Sequence, residues 1–275
     1  MNEERMDNFK REVLAGYPRL GAGDRFRFLC HRGASCFTQC CADVNIFLTP
    51  YDVIRMKNRA GISSSEFLRK HTVSPFTKTQ KLPAVLLKMR DDERRTCPFV
   101  DGDGCTIYGD RPWPCRMYPL GVASPKEQPG AEEEFYFLIR EPPCEGFETD
   151  REWTVAEWVR DQGADEYDRF GGMFKEIALH DFFLKGGTLL PEKMEMFYMV
   201  CYDVDRFRDF VFGSTFLKRF AVDDRTLETI KSDDLELLKF GFRWLRFSLF
   251  REDTFKIREE EIRRHREGTA GGRHV

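Results

Sequence analysis

The chain has 275 residues, of which 33% are charged and 41% hydrophobic, so it can form one large domain or two smaller ones with a buried core. Its net charge of −3 provides no basic excess, and we expect neither nucleic acid nor an anionic membrane surface as a partner. No apolar run approaches the roughly 20 residues that span a bilayer. The first residues lack the apolar core of a secretory signal, so we expect a cytoplasmic protein.

Short elements are predicted in the first half of the chain. Residues 1–20 resemble a short helix, and the apolar residues 45–48 resemble a strand. Thr49 and Ser63 are each followed three residues later by an acidic residue, the pattern of a capping box, so each should begin a helix. Gly61 should end the first of these helices.

A small antiparallel unit is predicted next. Residues 84–89 and 135–139 resemble strands, and residues 97–108 resemble a hairpin around the turn Asp-Gly-Asp-Gly. Thr154 should cap a helix that stops at Gly163. The cysteines lie at the ends and turns of this unit, where metal ligands are commonly found.

Helical spacing begins at about residue 164, where Tyr167, Phe170, Phe174 and Ile177 recur on one face. Residues 191–212 and 233–262 predict two longer helices, and the charged run 252–266 should be a solvated helix face. Cys201 lies in an apolar stretch and should be a core residue.

The predicted fold class is therefore α+β: a cysteine-rich metal-binding domain with a small antiparallel sheet, followed by an α-helical region. We place the cysteine domain at residues 1–163, the helical region at 164–267 and a disordered tail at 268–275.

The cysteines are the most informative feature, because eight of the nine fall in the first 144 residues. They form two groups of four in the sequence: Cys30, Cys36, Cys40 and Cys41, then Cys97, Cys105, Cys115 and Cys144. A reducing compartment disfavours disulfides, so we predict that these thiols are metal ligands. The spacing lacks the C-x2-C knuckle of zinc ribbons and does not match the ferredoxin or radical-S-adenosylmethionine patterns.

The adjacent pair Cys40-Cys41 limits the type of centre. Neighbouring side chains point in different directions, so they reach two irons of a cluster, or two separate metals, more easily than one zinc ion. Two four-cysteine sites, or one cluster and one zinc, both remain open. We favour an iron–sulfur cluster, of the 4Fe-4S type, over zinc.

Polar residues near the cysteines are candidates for supporting roles. Arg111 and Arg116 flank Cys115 and could donate hydrogen bonds to cluster sulfurs or bind an anionic substrate. A structural salt bridge with Asp110 or another carboxylate is the equally weighted alternative for these arginines. Tyr108 could form a hydrogen bond near the site, although tyrosines in such positions more often serve aromatic packing. His31, beside Cys30, should be solvent-facing or support a ligand rather than bind metal itself.

Two segments of the chain resemble a known family. The first four cysteines are followed by "LTPYDVIRM", and the second group lies in "CPFVDGDGCTIYGDRPWPCRMYPL" and "CEGF". This order resembles the YkgJ-like cysteine-cluster family, described as a zinc- or iron-chelating CxxCxxCC domain, over roughly residues 26–162. The intervals in the first group are longer than the family's name indicates. The resemblance implies zinc or iron–sulfur binding by the eight cysteines, and it implies a reaction only weakly.

Three functions follow as hypotheses. The first is an iron–sulfur oxidoreductase or electron carrier with an electron-transfer partner. The second is a zinc-stabilised, non-enzymatic module whose helical half binds a protein. The third is a methyltransferase acting on a protein substrate, because flagellin lysine N-methylases carry a related domain. Its cofactor would be S-adenosylmethionine, for which we recognise no binding loop in the sequence. The substrate and catalytic residues are not predicted.

Overall fold

The computed structural model describes residues 16–74, 81–123, 134–260 and 263. Within these ranges the chain forms eleven α-helices and ten short strands, which confirms the α+β class. Most of the helix predicted at residues 1–20 and the whole tail at 268–275 lie outside the described residues. No helix in the described ranges is long and apolar enough to cross a membrane.

The first half of the chain contains most of the strands. The strands are β1 (Arg25–Arg27), β2 (Thr72–Val73), β3 (Leu86–Leu87), β4 (Val100–Asp101), β5 (Gly104–Cys105), β6 (Leu120–Ala123), β7 (Phe135–Leu138) and β8 (Glu152–Thr154). The helices here are α1 (Pro50–Ala60), α2 (Ser64–His71), α3 (Trp113–Met117) and α4 (Val155–Asp161), with 3-10 turns at Gln39–Cys41 and Tyr108–Asp110.

The second half is mainly helical. Its elements are α5 (Asp165–Ala178), α6 (Asp181–Leu184), α7 (Pro191–Tyr202), α8 (Val204–Gly213), α9 (Phe216–Arg219), β9 (Phe220–Ala221), α10 (Asp224–Ser232), α11 (Asp234–Phe250) and β10 (Lys256–Ile257). The strands form five antiparallel pairs: β1 with β8, β2 with β3, β4 with β5, β6 with β7, and β9 with β10.

The predicted helix starts are confirmed by their caps. The Thr49 side chain accepts a hydrogen bond from the backbone N–H of Asp52, and the Asp52 carboxylate accepts one from the backbone N–H of Thr49. This is a complete capping box, and Thr154 forms the same box with Glu157. The Ser63 side chain caps α2, and Gly61 ends α1 in the left-handed conformation that glycine adopts most easily.

Several predicted elements are shorter in the structure. Residues 45–48 make only an isolated bridge from Phe47 to Leu86, and the predicted strand 84–89 is reduced to β3. The helix predicted over 191–212 is divided at Asp203 into α7 and α8. The prediction of one helix over 233–262 was wrong, because α11 ends at Phe250.

Arg251 explains this early end of α11. It adopts a left-handed conformation with φ of 61°, and its N–H bonds back to the carbonyls of Arg246 and Phe247. The chain then turns back, so the start of the charged run is not a helix face: Glu252 pairs with Arg246 at 2.6 Å, and Phe255 is buried.

The main hydrophobic core joins the two halves of the chain. Tyr51 of α1 stacks on Phe170 of α5, with ring centroids 4.7 Å apart, and the same cluster extends through α7, α8 and α11. Residues on both sides of position 163 therefore share one core. A second, smaller cluster contains Phe26, Phe28 and Trp158 and supports the cysteine loops.

Candidate metal-binding site

The loop after β1 meets the loop that carries Cys144. The Leu29 N–H donates to the Gly146 carbonyl oxygen at 2.8 Å, and the Phe28 ring lies directly on Gly146. A β-carbon at position 146 would lie 2.5 Å from that ring, so only glycine permits this approach. The contact brings Cys30 and Cys144, which are far apart in the sequence, to the same place.

Cys36 lies in the same neighbourhood. The Glu145 N–H donates to Cys36 Sγ at 3.4 Å, and Ser35 Oγ donates to the Glu145 carboxylate at 2.5 Å. The pKa of Cys30 is raised by burial and then by charge on Cys40, Cys36 and Cys144. We call Cys30, Cys36, Cys40 and Cys144 the loop thiol group.

The remaining thiols lie around the β4–β5 hairpin. The Cys97 N–H donates to the Cys41 carbonyl oxygen at 2.8 Å, which ties the first cysteine segment to the hairpin. Burial raises the pKa of both Cys97 and Cys105, and backbone hydrogen bonds from Phe99 and Ile107 oppose that rise. Each of these two sulfurs therefore accepts a backbone N–H from two residues further along, an interaction that favours the thiolate.

Cys115 completes this second neighbourhood from α3. Its pKa is raised by burial and then by the charges of Cys97 and Cys105, although the residue keeps substantial solvent-accessible area. We call Cys41, Cys97, Cys105 and Cys115 the hairpin thiol group.

Cys40 and Cys41 stand where the two groups meet, in the 3-10 turn Gln39–Cys41. The Cys41 thiol donates a hydrogen bond to the Cys40 sulfur, which lowers the pKa of Cys40 and raises that of Cys41. Beyond this bond, Cys41 interacts with Cys115 and Cys97, whereas Cys40 is the first charged neighbour of Cys30 and the last of those that raise the pKa of Cys115. The groups in space therefore differ from the groups in the sequence, because Cys41 belongs to the hairpin thiol group and Cys144 to the loop thiol group.

The thiol groups are neighbourhoods rather than closed sites. Among residues 16–74, 81–123 and 134–260, no three His, Cys, Asp or Glu side chains have the arrangement that could hold a metal ion. The donor chemistry nevertheless fits a metal group, because each neighbourhood supplies four thiols.

Two buried arginines lie beside the thiols. Arg111 donates to the Tyr108 carbonyl oxygen and to Gln162 Oε1, both at 2.5 Å, and Arg116 donates to the carbonyl oxygens of Gln162 and Gly109. Each is 7% exposed, and Arg116 Nε has no hydrogen-bond partner in the described part of the chain. Buried guanidinium groups normally pair with an anion.

The acidic groups that act on Arg111 are Tyr108 and then the thiols of Cys105 and Cys115. The charge of Arg111 lowers the pKa of Cys30 in the loop thiol group and of Cys105 in the hairpin thiol group, so Arg111 lies between the two. The salt bridge considered for the arginines is not formed with Asp110, because Arg55 binds that carboxylate at 2.5 Å. Neither Arg111 nor Arg116 has an ion-pair partner among the described residues.

Asp52 fixes the helix that carries Cys115. Its Oδ1 accepts the Trp113 N–H at 2.8 Å, while Oδ2 accepts the N–H and hydroxyl of Thr49, each at 2.7 Å. The side chain is fully buried, and burial raises its pKa to about 6. The sequence identified Asp52 only as a helix cap, because its contact with Trp113 joins segments 61 positions apart.

Three other predicted residues can be placed. Tyr108 is exposed, and the Arg111 guanidinium lies 3.7 Å from its ring centroid. His31 is exposed and its Nδ1 accepts the Gly33 N–H at 3.1 Å. Cys201 is completely buried in the main core, as predicted.

Two residues that build the site, Gln162 and Gly146, were not identified from the sequence. Gln162 binds both buried arginines, and Gly146 allows the two loops to meet. A glycine two residues after a cysteine was the one available signal for a close backbone approach, and the sequence contains nothing that distinguishes Gln162.

Comparison with known proteins supports a metal-binding role. Residues 29–145 match a family model described as "CxxCxxCC: Putative zinc- or iron-chelating domain". No curated protein and no solved structure matches the chain. The matched segment includes all eight clustered cysteines and ends directly after Cys144. Residues 29–145 are therefore similar to the zinc- or iron-chelating CxxCxxCC domain.

Proposed function

We propose that the loop thiol group and the hairpin thiol group each hold one metal centre, and that the chain is an iron–sulfur redox protein. The observation that carries this proposal is the partial division of Cys40 and Cys41: Cys40 acts on Cys30, Cys41 interacts with Cys97, and both interact with Cys115. One small ion would require both sulfurs on the same side. Two centres can each bind one of these sulfurs, because the side chains of neighbouring residues point in different directions.

The surroundings of the sulfurs favour iron–sulfur clusters. Backbone N–H groups donate to Cys36, Cys97 and Cys105, and such hydrogen bonds adjust the reduction potential of a cluster. A centre bound by four thiolates is negatively charged, and Arg111 and Arg116 are buried cations without a carboxylate partner among the described residues. When bound, a cluster would supply one-electron transfer.

The surface position of the loop thiol group suits exchange of electrons with a partner. Cys30 and Cys40 are both exposed, whereas three of the four cysteines in the hairpin thiol group are partly buried. We infer that the loop centre faces an electron-transfer partner and that the hairpin centre lies behind it.

A zinc-stabilised module is the second candidate, and the short elements of the cysteine domain favour it. Between β1 and β8 no strand in the described ranges exceeds four residues, and the described sheets are two-stranded. Sheets of this size are marginally stable alone. Closed four-thiolate zinc sites would supply the missing stability.

Anaerobic purification distinguishes the two candidates. The iron–sulfur proposal predicts a brown protein with broad absorbance near ~400 nm that bleaches with dithionite, and stoichiometric iron and acid-labile sulfide. A colourless protein that contains only zinc would refute the redox proposal and support the structural one. A sample refolded with iron and sulfide provides the control for clusters lost during purification.

A further inference from the structure

A cavity of about 510 Å³ opens in the helical half of the chain, away from the cysteines. Its walls come from α7, α8, α9, β9 and α11. Five aromatic side chains form much of the lining: Phe210, Phe216, Phe220, Trp244 and Phe247. The volume is within the range of small-molecule sites, which commonly combine aromatic walls with polar groups.

The charges around this cavity have one sign. Lys193, Arg219 and Arg251 line it, and no aspartate or glutamate does so among the described residues. Lys193 Nζ donates to the Ser248 carbonyl oxygen at 3.4 Å, which keeps the ammonium beside the cavity. The other large cavity, about 740 Å³, differs because Glu176 and Glu236 accompany the cations in its lining.

One wall residue also has an unused donor. Trp244 is 6% exposed, and its indole Nε1–H has no hydrogen-bond partner in the described part of the chain. Its ring is held between neighbours, with Phe216 edge-on at 5.3 Å and Phe210 at 5.5 Å. Buried donors in native proteins are nearly always satisfied, so Trp244 is an unusual member of the cavity wall.

We propose that this cavity binds a small carboxylate with an apolar body. The aromatic walls take the apolar part, and Lys193 and Arg251 take the carboxylate, which no acidic lining residue opposes. The proposal is independent of the metal centres, because none of the eight clustered cysteines lines the cavity.

Calorimetric titration of the full chain with octanoate tests the proposal, with octanol and octyltrimethylammonium as neutral and cationic analogues of equal chain length. We expect saturable binding of octanoate in roughly the micromolar range and binding of each analogue at least tenfold weaker. Arg251→Gln and Lys193→Gln should each weaken octanoate binding about tenfold. Arg225→Gln, which changes the other cavity, should leave the affinity unchanged.

Trp244 provides a spectroscopic readout at the site. Octanoate should change the tryptophan fluorescence of the wild type in step with the calorimetric binding curve, and Trp244→Phe should abolish that change while the helices remain intact by circular dichroism. The proposal is overturned if octanoate does not bind, if the cationic analogue binds as tightly, or if Arg225→Gln lowers the affinity as much as Arg251→Gln.

Discussion

Single residues control whether the two cysteine loops meet. Gly146 is in contact with the Phe28 ring, so Gly146→Ala must displace either the ring or the backbone that leads to Cys144. We predict that this variant loses the metal of the loop thiol group and keeps that of the hairpin thiol group, as measured by elemental analysis. Gly102→Ala is the control, because a β-carbon at position 102 has open space. Equal metal content in wild type and Gly146→Ala would contradict this role of the loop contact.

The charge of Arg111 acts on both thiol groups, because it lowers the pKa of Cys30 and of Cys105. Arg111→Gln should therefore make reduction of a bound cluster harder and lower the midpoint potential by roughly 30–60 mV, the equivalent of about 1 kcal/mol. Arg111→Lys should retain most of the wild-type potential. An unchanged potential in Arg111→Gln, measured by redox titration, would show that its charge does not act on the centres.

Asp52 should make stability depend on pH in a particular direction. Burial raises its pKa from 3.8 to about 6, so the folded state holds this proton more tightly than the unfolded state. The stabilisation from the protonated form is complete below about pH 4 and is lost as the pH rises to 6, a change of about 3 kcal/mol. The unfolding free energy of the wild type minus that of Asp52→Asn should fall over this interval. A constant difference would contradict the raised pKa.

At the scale of elements, local signals predicted the starts of helices well. The capping boxes at Thr49 and Thr154 involve residues only three positions apart, so the sequence contains the whole interaction. The break at Asp203 was not predictable in this way. That carboxylate accepts hydrogen bonds from Ser64 and Ser65 of α2, about 140 positions away in the sequence, and nothing near Asp203 indicates them.

The end of α11 was missed for a related reason. Helix ends in the left-handed conformation are usually marked by glycine, but here the position is occupied by Arg251. The charged residues that follow continue a plausible helical pattern. Only the burial of Phe255 and the pairing of β9 with β10 show why the chain turns back.

A buried ion network joins the helices of the two halves. Lys57 of α1 lies 2.8 Å from Asp234 and 3.3 Å from Asp205, and Arg208 pairs with both carboxylates. Lys57→Met leaves two partly buried carboxylates with one cation, and we expect a loss of about 2–3 kcal/mol in unfolding free energy, measured by urea denaturation. Lys185→Met, which removes an exposed pair with Asp181, should leave stability nearly unchanged because water screens that pair. Similar losses in both variants would contradict the role of the network.

At the scale of the whole molecule, the sequence predicted the family resemblance and the eight candidate thiol ligands, but not which thiols lie together in space. Cys41 and Cys144 exchange groups because the contacts that decide it join distant segments: Leu29 with Gly146, and Cys41 with Cys97. The order of the cysteines in the sequence does not show such long-range contacts. The family match over residues 29–145 supports metal binding, and the three-dimensional neighbourhoods lead to the proposal of two centres.

The decisive measurement is the metal content of Cys40→Ser and Cys41→Ser. Native mass spectrometry and elemental analysis would compare each variant with the wild type and with the double variant. Two centres predict that each single variant loses a different part of the bound metal, and that the double variant loses the sum of both parts. Cys201→Ser, a buried cysteine of the main core, shows the effect of removing a thiol elsewhere. If the two single variants lose the same metal and the double variant loses no more than either, the adjacent cysteines serve one centre and the account is wrong.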